Sequence, residues 1–122
     1  MVEPTSFRRR ILTLNANTPE AEVILRALAS EPRQRILEIL SDHVYNVSEI
    51  AAALDIPLST ANLHITTLEE AGLVRTELQP ATRGRQKVCA RTYDIIMVNL
   101  SYGTIAQEQV IELTMPIGTY VD

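Results

Sequence analysis

The chain has no tryptophan, one phenylalanine and four tyrosines, so any core it builds must be aliphatic. Apolar residues still make up 46% of its 122 positions, enough for the interior of one domain, or of one domain plus a fragment of another. A single cysteine, Cys89, excludes an internal disulfide and an all-thiolate metal site within one chain. No apolar run reaches membrane-spanning length, and the N-terminal charges are not followed by the apolar stretch of a secretory leader. These absences fit a cytoplasmic protein with no membrane partner. Enzyme chemistry is equally short of parts: no nucleophile stands beside a base, no glycine loop is built to cradle phosphate, and no metal ligands converge. The expectation is a non-enzyme with neither cofactor nor metal. No internal repeat or low-complexity tract is present.

An overall positive charge is missing too. The net value is −4, yet its distribution is uneven. Residues 1–19 carry +2 and residues 20–74 carry −6, whereas residues 75–91 carry +4 and residues 92–122 carry −4. Because salt limits exposed charge interactions to about 8–10 Å, a local basic patch can act despite an acidic total.

Helical spacing organises the first two thirds. Thr18 and Pro19 suit an N-cap and first helical position, and Ala21, Ile24, Leu25 and Leu28 recur on one face of a helix reaching about Ser30. Val23 and Ala27 add a second apolar stripe, which suggests contact with a partner subunit or an extra layer. A second helix runs from about Pro32 to Ser41, burying Ile36, Leu37, Ile39 and Leu40. Its Arg33 and Arg35 are either solvated or phosphate contacts. His43 is expected to complement a helix C-terminus. Val47 is read as a short bridge to a sheet. Ser48 is read as the cap of a third helix with Ile50, Ala51 and Leu54 inward, and Asp55–Pro57 as a turn. A fourth helix spans about Leu58 to Ala71, with Ala61, Ile65 and Leu68 buried and Gly72 able to take the left-handed stop that lets Leu73 pack back.

The pattern then changes to strands. Val74–Leu78 and Lys87–Thr92 read as a hairpin whose tip holds Pro80 and Gly84, and Cys89 reads as a small core residue. Tyr93–Leu100 and Gln109–Met115 look like further strands around a turn at Gly103, and Pro116–Asp122 like the start of another turn. Phe7–Leu14 is either a strand or an arm. The fold class is α+β, a winged helix-turn-helix of four helices plus a β-hairpin wing with a short β extension at the C-terminus. The expected divisions are 1–18 as arm or strand, 19–92 as the winged helix-turn-helix domain, and 93–122 as a β extension, either a dimerisation element or the start of a truncated domain.

The outward side of the fourth helix is small, polar and uncharged. Ser59, Asn62, Leu63 and Thr66 share one face, with Thr60, His64 and Thr67 adjoining. Asn can pair with adenine, hydroxyls donate or accept, and an apolar group can meet a thymine methyl. First-turn N–H groups at Ser59 and Thr60 favour phosphate. Leu63 either tucks against the wing or reads a methyl, and His64 is either a packed, hydrogen-bonded imidazole or a base reader. Arg83, Arg85 and Lys87 flank Gly84, where a basic hairpin (about residues 79–87) can lie on phosphates or enter a minor groove. Arg75 and Arg91 stand on strands whose alternation can turn them elsewhere. The reading is a sequence-specific regulator that binds double-stranded DNA. The alternative is a winged-helix protein-interaction module.

ALASEPRQRILEIL, VSEIAAAL and STANLHITTLEEAGLV together resemble the arsenic-repressor-type (ArsR-like) winged-helix family of bacterial regulators over roughly residues 20–92. The resemblance implies a homodimer, operator binding through the helix bearing Ser59, Thr60, Asn62 and His64, and release by a signal, the effector being unknown. Three features depart from the family: no cysteine pairs precede the turn, no helix follows the wing, and Leu63 stands where Arg or Gln is common. The binding mode is therefore carried over and the metal chemistry is not. The tail from Met115 to Asp122 resembles the segment through which, in a subset of longer regulators, such a domain runs into a β-rich one. An excised N-terminal piece or a truncated gene product is expected, with the tail strands or residues 7–14 pairing within a dimer.

Overall fold

The computed structural model describes residues 9–101. In chain order they form β1 (Ile11–Asn15), α1 (Pro19–Leu28), α2 (Glu31–Ile39), β2 (Tyr45–Asn46), α3 (Val47–Leu54), α4 (Leu58–Glu70), β3 (Val74–Pro80), β4 (Arg85–Arg91) and β5 (Ile95–Asn99). This is the expected winged helix-turn-helix. The strand expected at Gln109–Met115, the turns at Gly103 and Pro116–Asp122, and the segment Met115–Asp122 lie outside the described residues, as do Phe7 and Arg8.

Helices α1, α2 and α3 each start where a side-chain acceptor meets an orphan N–H group. Thr18 Oγ1 accepts from the Ala21 N–H at 3.2 Å, with Pro19 following it. Ser30 caps α2 rather than closing α1, which ends at Leu28. The cap of α3 differs from the sequence expectation. It is Asn46, not Ser48: its Oδ1 accepts from the Glu49 N–H at 2.7 Å, while Glu49 Oε1 accepts from the Asn46 N–H at 2.8 Å. The reciprocal pair needs a carboxylate three residues on, which Asn46 has and Ser48 lacks. The bridge to the wing is accordingly Tyr45–Asn46, and Val47 is already helical. Replacing Asn46 by Ala is expected to cost about 1 kcal/mol, read as a lowered denaturant midpoint at unchanged slope; no change would remove the capping box from the account.

Between α3 and α4, Asp55 takes a left-handed conformation (φ 58°) and ends the first helix. At the far end of α4, Gly72 does the same (φ 78°). Its N–H reaches Glu69 O at 2.9 Å, and the Leu73 N–H reaches Leu68 O at 2.9 Å, which is the double bond of a Schellman stop. Leu73 is thereby folded into the core with Ile36, Ile50, Ala61, Ile65, Leu68 and Cys89. Burial pushes the Cys89 thiol up to about 11, so it lacks the accessible, low-pKa character of a redox switch.

Two small sheets flank the helices. One is antiparallel in the order β2-β4-β3, with register from Val74↔Arg91 to Pro80↔Arg85. The other pairs β1 with β5 in parallel, Ile11↔Ile95 through Asn15↔Asn99. Residues 11–15 and 95–99, expected to pair within a dimer, pair with each other inside one chain and form a two-stranded sheet among the described residues. Side chains favour this closure: Leu14 is buried in the common core, Asn99 Nδ2 donates to Asn15 Oδ1 at 3.0 Å, and Asp94 Oδ2 accepts from the Arg10 N–H at 2.8 Å. On α1, Ala21, Ile24 and Ala27 are buried, while Val23 and Leu25 are exposed. His43 lies beyond the end of α2, edge-on to Tyr45 with ring centres 6.2 Å apart, and so does not serve as a dipole partner on the last turn. No helix among the described residues is long and apolar enough to cross a membrane.

Candidate nucleic-acid interface

The row Ala61, Ile65 and Leu68 is fully buried, and that fixes which side of α4 faces out. Ser59, Asn62 and Leu63 are exposed, while Thr60, His64 and Thr66 are half-buried. Leu63 is 68% exposed, so it does not tuck against the wing. Pro57 precedes the helix and offers no side-chain cap, so the first-turn N–H groups beside Ser59 and Thr60 receive none.

The wing is longer and its tip tighter than expected. Pairing extends to Pro80 and Arg85, leaving residues 81–84 as the turn. The Ala81 N–H closes it on Gly84 O at 3.1 Å, with Gly84 left-handed (φ 67°). Proline is tolerated there because a terminal strand position needs no N–H. Arg83 is therefore on the tip, while Arg85 and Lys87 lie on β4. Lys87 turns toward α4, and its Nζ donates to Asn62 Oδ1 at 3.3 Å. Asn46 Nδ2 donates to Gln86 Oε1 at 2.8 Å and holds the start of α3 to the same strand. Between wing and helix lies an open groove of about 590 Å³ lined by Ser48, Leu58, Ser59, Asn62, Arg85 and Lys87, among others.

Three cations go elsewhere. Arg33 was expected to be solvated or on phosphate. Instead its Nε donates to Ala27 O at 2.7 Å, satisfying an end carbonyl of α1, and its Nη1 lies 3.2 Å from His64 Nδ1. The sequence held a faint signal for this: an arginine just after the α2 cap stands opposite the last, unpaired carbonyls of the preceding helix. Arg91 donates to Leu37 O and Ser41 Oγ, both at 3.1 Å, and pairs with Asp94 at 2.9 Å. The Arg10 N–H and the Arg91 guanidinium hold the Asp94 carboxyl below the usual carboxylate range. Arg10 Nη2 in turn donates to Arg91 O. Arg91 is a tie between wing base, α2 and β5, while Arg75 and Arg35 remain exposed.

A helix-turn-helix domain family matches residues 28–77. The transcriptional activator HlyU of Vibrio cholerae is 33% identical over 69 residues, and the chain spans 64% of that relative's length. The crystal structure of an ArsR family transcriptional regulator superposes with a TM-score of 0.54 at 36% identity, over 60% of this chain and 76% of that one. The chain belongs to the ArsR family of transcriptional regulators. A possible ArsR-family regulator from Mycobacterium bovis, described as a homodimeric winged helix-turn-helix DNA-binding domain, matches at 26% identity with a TM-score of 0.53, over 59% of this chain and 63% of that one. Among the described residues no group of three or more His, Cys, Asp or Glu side chains is placed to hold a metal.

Proposed function

We propose that the protein is a homodimeric, sequence-specific DNA-binding regulator that lays α4 in the major groove and its wing on the backbone or minor groove. The observation that carries this is the open groove where exposed Ser59 and Asn62 stand beside Arg85 and Lys87. Small neutral groups face the bases and cations flank them, the division between reading and positioning that duplex recognition requires. Ser59, Thr60, Asn62, Leu63, His64 and Thr66 supply the reading face. Arg83, Arg85 and Lys87 supply phosphate contacts, and the uncapped first turn of α4 offers N–H groups to a phosphate. On binding, Lys87 exchanges Asn62 for a phosphate, which frees both ends of the Asn62 amide for the edge of an adenine.

Val23, exposed and apolar on α1, forms part of the dimer surface, in keeping with the homodimeric Mycobacterium bovis relative. Occupancy of an operator by such a dimer excludes polymerase and represses; a reporter with the operator moved upstream of the promoter tests that sign, since the HlyU relative is named an activator. Asn62→Ala is expected to relax discrimination at one base position by about 1–3 kcal/mol, measured by comparing selected and single-substituted duplexes. Uniform weakening across all duplexes would take Asn62 off the reading face.

A protein-interaction module is the second reading. Leu58 and Leu63, 55% and 68% exposed on the same helix, favour it. Its signature is binding to a polypeptide with no duplex affinity at any salt.

A further inference from the structure

We propose that Arg33 fixes His64 in its Nε2–H tautomer and so makes His64 a neutral hydrogen-bond donor toward an acceptor atom on the duplex. Arg33 is the positioning residue, and His64 is the group that touches the DNA. The target rests on the DNA-binding reading above; the tautomer does not.

Arg33 is held firmly. Its Nε donates to Ala27 O at 2.7 Å, its Nη2 to Arg26 O at 3.3 Å, and its backbone N–H to Ser30 Oγ at 3.4 Å. The guanidinium is thus anchored on the C-terminal end of α1 before it meets His64. Its Nη1 then lies 3.2 Å from His64 Nδ1. A guanidinium has donors only and keeps its charge throughout the accessible pH range. Nδ1 must therefore supply the lone pair. That requires an unprotonated Nδ1, and in a neutral imidazole the proton is then on Nε2. Burial, and then the Arg33 charge, lower the tendency of His64 to take a second proton, so the neutral form holds at pH 7. No acceptor for Nε2 is found among the described residues. His64 sits one turn after Thr60 in the row beside Asn62 and Leu63, with Arg33 on one side of its ring. A donor fixed in this way seeks an oxygen or nitrogen acceptor, either a phosphate oxygen or a base edge such as purine N7.

Two measurements test the two halves. Imidazole ¹⁵N spectra of the free protein are expected to show a bare Nδ1 and a protonated Nε2 at pH 7, with the preference lost in Arg33→Gln. A predominant Nδ1–H form, or an even mixture in the wild type, overturns the tautomer assignment. For the duplex half, the His64→Gln amide reaches the Nε2 position and can donate there, whereas the shorter His64→Asn amide reaches only the Nδ1 position, where its oxygen can accept from Arg33. With duplexes selected from a random pool, the Gln variant is expected to bind within about twofold of wild type and the Asn variant roughly three- to tenfold more weakly, the loss of one hydrogen bond. The reverse order would show that the Arg33 contact alone matters and would overturn the donor role. A loss confined to one base position places the acceptor on a base edge, and a uniform loss places it on a phosphate; either supports the donor. Wild-type protein that selects no duplex overturns the duplex half together with the DNA-binding reading, while the spectra still decide the tautomer.

Discussion

Raising salt from about 50 to about 200 mM is expected to weaken operator binding on the order of a thousandfold. Each wing presents Arg83, Arg85 and Lys87, so a dimer brings about six cations to phosphates, and each contact releases condensed counterions. Six such contacts give a slope of log affinity against log salt of roughly −5. The net charge of −4 does not cancel this, because no Asp or Glu among the described residues lines the groove between wing and α4, and charges farther off are screened within about 10 Å. Arg83→Ala should flatten the slope by about one unit per wing and weaken all duplexes alike. A slope unchanged by that substitution would remove the wing tip from the interface. A flat titration in the wild type would favour the protein-interaction reading.

The second large effect concerns stability. Leu68→Ala is expected to cost about 2–5 kcal/mol, a large share of the 5–15 kcal/mol typical of a domain. Leu68 is fully buried on the inward row of α4, and its carbonyl accepts from the Leu73 N–H that closes the helix. Helix α4 has no side-chain cap at its start, so packing of Ala61, Ile65 and Leu68 carries more of its stability than a capped helix would need. Denaturant midpoints measure the loss, with Leu68→Met as the volume-conserving control, expected to cost under about 1.5 kcal/mol. A loss below that of the Met control would mean that the inward row does not anchor α4.

The end of α4 was legible in the sequence because Gly72 and Leu73 act locally: a left-handed residue and an apolar residue after it suffice to write the stop. The apolar rows of α3 and α4 were legible for the same reason, since period alone places them inward. The cap of α3 is also written locally, in Glu49 three residues after Asn46; Ser48 competes only as an isolated acceptor, and the bridge of Tyr45–Asn46 to β4 adds the extended backbone at Asn46. Partners distant in sequence were hidden. Nothing near Arg33 announces His64, 31 positions away, nor does anything near Arg10 announce Asp94, 84 away. Lys87 stands on the wing strand β4, but its turn toward Asn62 depends on strand register, which one sequence does not reveal.

The parallel pairing of β1 with β5 has a mechanical consequence. Parallel neighbours separated by the whole domain form late in folding, because the intervening chain must first be gathered in. Once formed, the pair resists tension in a particular way. A force drawn through residues 9 and 100 in opposite directions runs along both strands at once, so the cross-links between them are sheared together instead of being peeled in turn. Tethering at those two points grips the domain like a buckle.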